Sequence, residues 1–240
     1  MNGEWRFEVD SKAEGEQQGW SSGRELARRI VVPFCPESKL SGLGLATNYL
    51  PHVWYPRHFQ VPPGMRGRRL LLHFGAADYN ARVWLNGRFL GEHGGGYTPF
   101  AFEVTEGAGD GDNELVVRVV DELRSSLQPG GKQSYGKSEG CVYTRTTGIW
   151  QTVWLEAVGE THLSELTLTP DLDGGRIIVQ GSLNGPTKGV TLRVRAFAGG
   201  GVQRSAASPE GLRPADPLLG RQAGLPGVGR VSELGGQYRE

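Results

Sequence analysis

Cysteine is scarce in this sequence. Cys35 and Cys141 are the only two cysteines among 240 residues, too few for the disulfide framework that stabilises small secreted domains. A single bridge between them is the alternative to two buried thiols. We expect the buried thiols, because free cysteine usually packs as a small apolar side chain. A scaffold built on disulfides is therefore excluded.

Net charge is absent as well. The 26 lysines and arginines are balanced by 26 aspartates and glutamates. The chain as a whole therefore has no electrostatic attraction for nucleic acid or for an anionic membrane surface. We expect the partner to be a neutral ligand or another protein surface, with no nucleic acid and no membrane involved.

Long apolar runs are missing too. The first thirty residues contain no apolar core of a signal peptide, and no run approaches the roughly 20 residues that cross a bilayer. A cytoplasmic location is therefore expected. Helical periodicity is equally rare, and one short turn at Glu37–Leu40 is the only helical segment that the pattern predicts.

Glycine and proline, in contrast, are abundant. The 38 glycines and 14 prolines separate short runs rich in Val, Leu, Ile, Trp and Phe, a pattern typical of many strands joined by turns. The strands predicted are Trp5–Val9, Arg28–Val32, Val53–Val61, Arg69–Phe74, Ala81–Leu85, Arg88–Leu90, Phe100–Val104, Glu114–Val120 and Ile149–Val158. Asn86-Gly87 predicts a type I′ hairpin, and Pro56 predicts an edge or a bulge. We expect residues 1–158 to form one antiparallel, all-β sandwich of jelly-roll type.

A second unit begins near Thr161. It contains three further alternating runs, Leu163–Leu168, Arg176–Leu183 and Val190–Phe197. These could begin an immunoglobulin-like sandwich, but a complete one needs about seven strands. From residue 204 onward Gly, Pro, Arg and Ser dominate, a composition that buries too little apolar surface to fold. We therefore expect an incomplete immunoglobulin-like sandwich over residues 161–203 and a disordered tail over residues 204–240.

Several motifs occur in a characteristic order across residues 2–158. They are Asn2–Phe7, Val32–Ser38, Trp54–Arg57, Phe74–Tyr79, Val83–Gly87, Leu90–His93, Gly95–Phe100, Glu103–Thr105 and Tyr143–Glu156. Together they resemble the sugar-binding, galactose-binding-like domain at the N-terminus of glycoside hydrolase family 2, the family of β-galactosidases, β-glucuronidases and β-mannosidases.

The resemblance implies hydrolysis of O-glycosidic bonds by two glutamates on a later TIM barrel. Such a barrel takes about 250 residues, and the sequence after residue 200 leaves no room for one. We expect this chain to be the non-catalytic N-terminal portion of such an enzyme, interrupted by a reading-frame change near Arg204, and we assign no catalytic residue. A stand-alone carbohydrate-binding module is the main alternative. A module that docks onto the missing catalytic barrel is the third hypothesis.

In some family 2 enzymes the jelly roll lends residues to the rim of the active site. Galactosidases and glucuronidases place a carboxylate six residues before the glycine that matches Gly148. Here that position is Val142, which weakens the case for a sugar contact at this point. Glu139 is the nearest carboxylate that could substitute for it.

The resemblance leaves few candidates for a ligand contact. Arg145 matches a polar position of the same loop, where it could reach a sugar hydroxyl; pairing with a nearby carboxylate is the structural alternative. Lys132 and Gln133 lie in a glycine-bounded loop and could line a cleft. The predicted ligand-binding residues are therefore Arg145, Glu139, Lys132 and Gln133.

Other chemical signals are weak. Trp84, Trp150 and Trp154 lie in apolar strands, so we expect core packing, with stacking on a sugar ring as the alternative. Asp78 and Asn80 offer too few oxygen ligands for calcium, and a turn role is expected. The five histidines lack the spacing of a metal site. No cofactor and no metal are expected.

Overall fold

The computed structural model describes residues 1–174, 176–198, 201–208 and 213–214. The chain divides into two compact units, Met1–Ala157 and Val158–Glu240. Within the described residues, regular structure consists of β-strands and three short 3-10 helices, which confirms the predicted all-β class. No helix in that part of the chain is long and apolar enough to cross a membrane.

Eleven strands build the first unit. They are β1 (Gly3–Val9), β2 (Arg28–Val32), β3 (His52–Gln60), β4 (Arg69–Phe74), β5 (Ala77–Asp78), β6 (Asn80–Leu85), β7 (Arg88–Gly94), β8 (Phe100–Glu103), β9 (Asp112–Val120), β10 (Gly148–Ile149) and β11 (Val153–Val158). The 3-10 helices are Trp20–Ser22, Lys39–Ser41 and Pro63–Met65. The second of these lies close to the helical turn predicted at Glu37–Leu40.

The strands of the first unit form a sandwich. The large sheet has the order β2-β1-β3-β9-β6-β7, and each neighbouring pair in it is antiparallel. The smaller sheet has the order β11-β4-β8, and β5 pairs separately with β10. Phe7, Tyr55 and Val117 of the large sheet share one buried core with Leu72 and Phe74 of the smaller sheet. Two sheets with one common core are the jelly-roll sandwich that the sequence predicts.

Local sequence signals explain two details of the large sheet. Asn86 and Gly87 have φ values of 51° and 77° between β6 and β7, as the predicted type I′ turn requires. Pro56 pairs with Val116 of β9, whereas β1 pairs only with Val53 and Trp54 of β3. Pro56 thus lies beyond the residues of β3 that pair with β1. Its backbone nitrogen, which cannot donate a hydrogen bond, is therefore not required for pairing with β1.

A second apolar cluster covers the other face of the large sheet. Trp54 and Trp84 stack with their ring centroids 5.6 Å apart, and Val116 and Leu26 pack with them. Trp20 meets Trp54 edge-on, with 5.8 Å between ring centroids. Because Trp20 and Leu26 come from the segment between β1 and β2, that segment covers the outside of the sheet.

Ion pairs made by Glu16 hold this covering segment on the sheet. Arg82 of β6 lies directly opposite Arg118 of β9, and such a like-charge pair is unfavourable by itself. Glu16 accepts hydrogen bonds from both guanidinium groups, at 2.6 Å from Arg82 and 2.7 Å from Arg118. The carboxylate therefore relieves the repulsion and holds the segment in place.

The structure corrects two burial predictions. The near-continuous apolar run Arg69–Phe74 favours a strand covered on both faces, but in β4 only Leu70, Leu72 and Phe74 are buried, and the alternate residues are partly exposed. The sandwich has a single core on that side, so one face of the smaller sheet meets solvent. The two cysteines are free, as expected, but Cys35 is only half-buried and Cys141 is exposed.

The second unit is more open. Its strands are β12 (His162–Asp171), β13 (Arg176–Asn184), β14 (Leu192–Ala198), β15 (Gly201–Ser208) and β16 (Arg213–Pro214). They form two small sheets, β12-β13-β16 and β14-β15. Leu166 and Leu168 of β12 are 54% and 60% exposed. The apolar face of this strand is therefore uncovered.

The predicted boundary at residue 204 falls within a strand. Residues 204–208 belong to β15, where they pair with β14. Backbone hydrogen bonding forms this ladder without the apolar alternation that sequence patterns detect. Apart from β16, the rest of the predicted tail lies outside the described residues.

Candidate functional site

Polar side chains gather under the loops at one part of the first unit. Each is buried, with at most 8% of its surface exposed: Glu37, Asp78, Asp121, Gln133, Ser134, Arg145 and Thr147. We call this set the buried polar cluster. Burial of so many polar groups is costly unless they hydrogen-bond to one another or to the backbone, so their contacts show what the cluster holds together.

Asp78 connects the short strand β5 to the loop that precedes β10. Its Oδ2 accepts a hydrogen bond from Gln133 Nε2 at 3.2 Å, and Gln133 Oε1 accepts one from the Thr146 backbone N–H at 2.8 Å. Burial, and then repulsion from Asp121, raises the pKa of Asp78 to about 7. The turn role predicted for Asp78 is therefore wrong, because its side chain points inward and is bound to a distant loop.

Thr147 links two further carboxyl groups. Its hydroxyl donates to Asp121 Oδ2 at 2.8 Å, and its backbone N–H donates to Glu37 Oε2 at 3.3 Å. Burial raises the pKa of both Glu37 and Asp121. Asp121 Oδ1 also accepts from Gln128 at 2.5 Å. Three carboxyl groups from separate parts of the chain are thus held within one buried network.

Arg145 fixes the same loop from the other side. It donates to the backbone carbonyls of Ser134 at 2.8 Å, Gly136 at 3.4 Å and Ala46 at 3.2 Å, and also to that of Asn48. The expected pairing with a carboxylate is therefore replaced by pairing with carbonyls. A guanidinium has five donors in a rigid fork, which suits the joining of two loops. With 2% of its surface exposed, Arg145 is an internal brace of residues 134–136 and 46–48.

Aromatic side chains surround the cluster on the outside. Tyr97 is 71% exposed and Tyr143 is 49% exposed. The Tyr97 ring meets Trp150 edge-on, with 5.9 Å between ring centroids, and Trp150 Nε1 donates to the Gly96 carbonyl at 2.8 Å. We call Tyr97, Tyr143 and Trp150 the aromatic rim.

The rim rests directly on the buried polar cluster. A Cβ atom at Gly96 would lie 2.5 Å from Asp78 Oδ1, so only glycine allows the backbone next to Tyr97 to approach this carboxyl. Burial, and then the charges of Asp78 and Tyr143, raises the pKa of Tyr97. The two rim tyrosines and Asp78 are therefore electrostatic neighbours.

The four predicted ligand-binding residues are placed differently. Gln133 and Arg145 lie inside the buried polar cluster, where the amide of Gln133 and the two terminal nitrogens of Arg145 already have protein partners. Lys132 and Glu139 are exposed on the same loop. The Lys132 carbonyl accepts from the Tyr143 backbone N–H at 3.0 Å, which places Lys132 beside a rim tyrosine.

Sequence analysis did not identify Tyr97 or the three buried carboxyl groups as site residues. Glu37, Asp78 and Asp121 are far apart in the chain, and no local pattern marks them as partners. The Gly-Gly-Tyr sequence at residues 95–97 was the available signal, since adjacent glycines allow close backbone approach. In chemical terms, the site offers tyrosine hydroxyls, aromatic faces and two exposed charges. The described residues contain no group of three or more His, Cys, Asp or Glu side chains suited to a metal ion.

Known proteins share this domain. Residues 42–156 match the family model described as glycosyl hydrolases family 2, sugar binding domain. A β-galactosidase from Thermoanaerobacter pseudethanolicus is 33% identical over 120 residues, covering 49% of this chain and 15% of the relative. A β-glucuronidase from Paenibacillus borealis is 26% identical over 187 residues, covering 72% of this chain and 31% of the relative.

The fold is also found in solved structures. A β-glucuronidase from Ruminococcus gnavus matches with a TM-score of 0.67 and 20% identity, covering 88% of this chain and 38% of the other. The chain thus spans less than half the length of each of these relatives. The matched region includes β5, β10, the aromatic rim and most of the buried polar cluster. Residues 42–156 are a sugar-binding domain of glycosyl hydrolases family 2.

Proposed function

We propose that the first unit is the non-catalytic, sugar-facing domain of a family 2 glycosidase, and that its aromatic rim contacts carbohydrate. The observation that carries the proposal is the exposure of Tyr97 and Tyr143 above a buried network within the matched domain. Aromatic faces stack on the apolar C–H faces of sugar rings, and phenolic hydroxyls hydrogen-bond to sugar hydroxyls. The chemistry of the rim therefore suits a pyranose.

The buried polar cluster gives this rim its rigidity. Arg145 joins residues 134–136 to residues 46–48, and Gln133 joins Asp78 to Thr146. Positioning of ligand contacts by a well-hydrogen-bonded support is what specific recognition requires. We accordingly assign positioning roles to Arg145 and Gln133, and ligand contact to the exposed Lys132 and Glu139 together with the rim.

Catalysis would belong to another part of the parent enzyme. The relatives named above are a β-galactosidase and two β-glucuronidases, so a β-linked galactoside or glucuronide is the proposed substrate class. Retaining hydrolysis needs two carboxyl groups about 5–5.5 Å apart across the scissile bond. In the first unit the paired carboxyl groups are internal, and we infer a structural task for them.

Calorimetric titration tests the proposal. The full chain is titrated with methyl β-D-galactoside and methyl β-D-glucuronide, and the same titrations are repeated with Tyr97→Ala. Weak, saturable binding that Tyr97→Ala reduces at least several-fold is expected. Phe89→Ala is the matched control, since Phe89 is a 44% exposed aromatic that packs on the Trp84 side of the large sheet. Equal affinity in wild type and Tyr97→Ala would show that the rim is not part of the binding site.

A stand-alone carbohydrate-binding module is the second candidate. The exposure of two rim tyrosines favours it, because such a module must bind sugar without a catalytic partner. The two candidates predict different changes of affinity with the length of the sugar chain. A module that acts alone should bind an oligosaccharide more tightly than a monosaccharide, whereas a domain that completes the site of a larger enzyme should show little gain with chain length.

A further inference from the structure

The outer face of the smaller sheet contains an aromatic side chain that the proposed function does not use. Trp154 lies on β11, the edge strand of that sheet, and is 38% exposed. Core packing was the prediction for this residue, and the structure contradicts it. Val153 points into the core instead, and strand alternation turns Trp154 outward. An exposed tryptophan on an open sheet face is unfavourable in water unless something covers it.

Its ring is held in a fixed orientation. The imidazole of His73, on the neighbouring strand β4, stacks on the indole with 4.7 Å between centroids and 5° between planes. Glu156 Oε2 lies 2.9 Å from His73 Nε2, so the carboxylate and the imidazole are direct neighbours on this face. Because His73 covers one face of the indole, the exposed part of Trp154 is its edge and the opposite face.

Polar groups also lie on this face of the smaller sheet. Glu156 is two residues beyond Trp154 on β11, and its side chain is 50% exposed. Across the sheet, Glu103 of β8 forms an ion pair with Arg69 of β4 at 3.0 Å. A flat aromatic ring with a carboxylate acceptor beside it matches the two surfaces of a sugar, which are an apolar C–H face and a periphery of hydroxyls.

We propose that Trp154, supported by His73 and flanked by Glu156, forms a second carbohydrate-binding surface that selects neutral pyranose rings. Glu156 sets the selectivity, because its carboxylate would repel a uronic acid placed over the indole. This surface is built from β4, β8 and β11, whereas the aromatic rim is built from the loops around residues 97 and 143. The two sites therefore use separate residues, and one can be present without the other.

Nuclear magnetic resonance of the full chain tests the proposal. Each of the six tryptophans gives an indole N–H cross-peak, and Trp154→Phe identifies the peak of Trp154 by its loss. Neutral cellotetraose should shift that peak saturably. Anionic tetragalacturonate should bind about tenfold more weakly because of charge repulsion, and Glu156→Gln should narrow this difference. His73→Ala should weaken cellotetraose binding by loosening the indole.

Further variants distinguish binding at this surface from binding at the rim and from unfolding of the variant protein. Tyr97→Ala should leave the shift of the Trp154 peak by cellotetraose unchanged, whatever it does to binding at the rim. Trp154→Phe keeps an aromatic ring and should retain part of the affinity, measured on backbone peaks of β11, whereas Trp154→Ala should lose it with the other indole peaks in place. The proposal is overturned if cellotetraose leaves the Trp154 peak unmoved, or if Trp154→Ala binds it as wild type does.

Discussion

In the first unit, Leu72 lies within a core to which both sheets contribute and is 1% exposed; in the second unit, Leu168 also lies in a strand but is 60% exposed. Both residues belong to segments rich in leucine that the sequence predicts as strands. The difference is whether a second sheet covers the apolar face, since a strand gains stability from burial and not from its pattern alone.

The same comparison applies to polar groups. Seven polar side chains of the first unit are buried in one cluster, and one of them, Arg145, joins two loops. In the second unit the described hydrogen bonds are mainly those of strand ladders and turns near the surface. We infer that a defined binding rim requires the first kind of support.

Loss of the internal brace should have the largest effect. Arg145→Ala removes four hydrogen bonds to carbonyls and leaves buried acceptors without partners. Destabilisation of the first unit by about 3–5 kcal/mol is expected, measured by urea unfolding. Arg124→Ala is the matched control, because Arg124 is exposed and only covers the ring of Tyr49; it should cost under about 1 kcal/mol. Equal effects of the two variants would contradict the bracing role.

Truncation of a leucine should separate the two units directly. Leu72→Ala creates a cavity in the closed core and should cost about 3 kcal/mol. Leu168→Ala, at a 60% exposed position, should change stability by no more than about 0.5 kcal/mol. Both values come from urea unfolding of the full chain. A large effect of Leu168→Ala would mean that the apolar face of β12 is covered after all.

The buried carboxyl of Asp78 predicts a pH dependence. Its pKa is raised from 3.8 to about 7 by burial and by Asp121, so the folded state holds the proton more tightly than the unfolded state. Below about pH 4 the carboxyl is protonated in both states and does not change the free energy of unfolding. Between about pH 4 and pH 7 the unfolded state loses this proton more readily, so the free energy of unfolding falls. The pKa shift sets an upper bound of about 4 kcal/mol on this loss of stability. We expect about 2 kcal/mol, because the folded structure relaxes around the charged carboxylate.

Thermal unfolding between pH 5 and pH 8 measures this cost. The melting temperature of wild type should fall across that range, and Asp78→Asn should flatten the decline, because the amide oxygen still accepts from Gln133 and carries no charge. Parallel curves for wild type and Asp78→Asn would show that Asp78 does not titrate there.

Removal of the second unit should have the smallest effect on the first. A chain that ends after Gly159 should melt within about 1 °C of the first transition of the full chain. It should also aggregate less, because the open strands of the second unit are removed. Light scattering at matched concentration measures the aggregation. A clearly lower melting temperature would mean that the second unit supports the first.

Much of the fold could be predicted from the sequence, because the signals are local. Short runs of apolar residues predicted the bounds of β2 and β4 to the residue, and Asn86-Gly87 predicted the hairpin. The outward position of Trp154 could not be predicted, since an apolar strand does not show which of its faces a distant segment will cover. For the same reason the sequence did not show that Trp54 and Trp84 pack under residues 20–26.

The site was harder to predict than the fold. Gln133 and Arg145 were identified as candidates, but Arg145 binds backbone carbonyls, which every residue has and no pattern reveals. Asp78 meets Gln133 across 55 positions of sequence, and Thr147 meets Glu37 across 110. Such contacts depend on the topology of the sandwich, and local spacing contains no information about them.

We propose that the first unit contacts sugar but does not cleave it. Saturation-transfer NMR of the full chain with p-nitrophenyl β-D-galactoside and β-D-glucuronide, followed over many hours, tests both parts in one sample. The account predicts saturation of the sugar protons, reduced in Tyr97→Ala, with no accumulation of p-nitrophenol. Saturable release of p-nitrophenol, or saturation that Tyr97→Ala leaves unchanged, would contradict it.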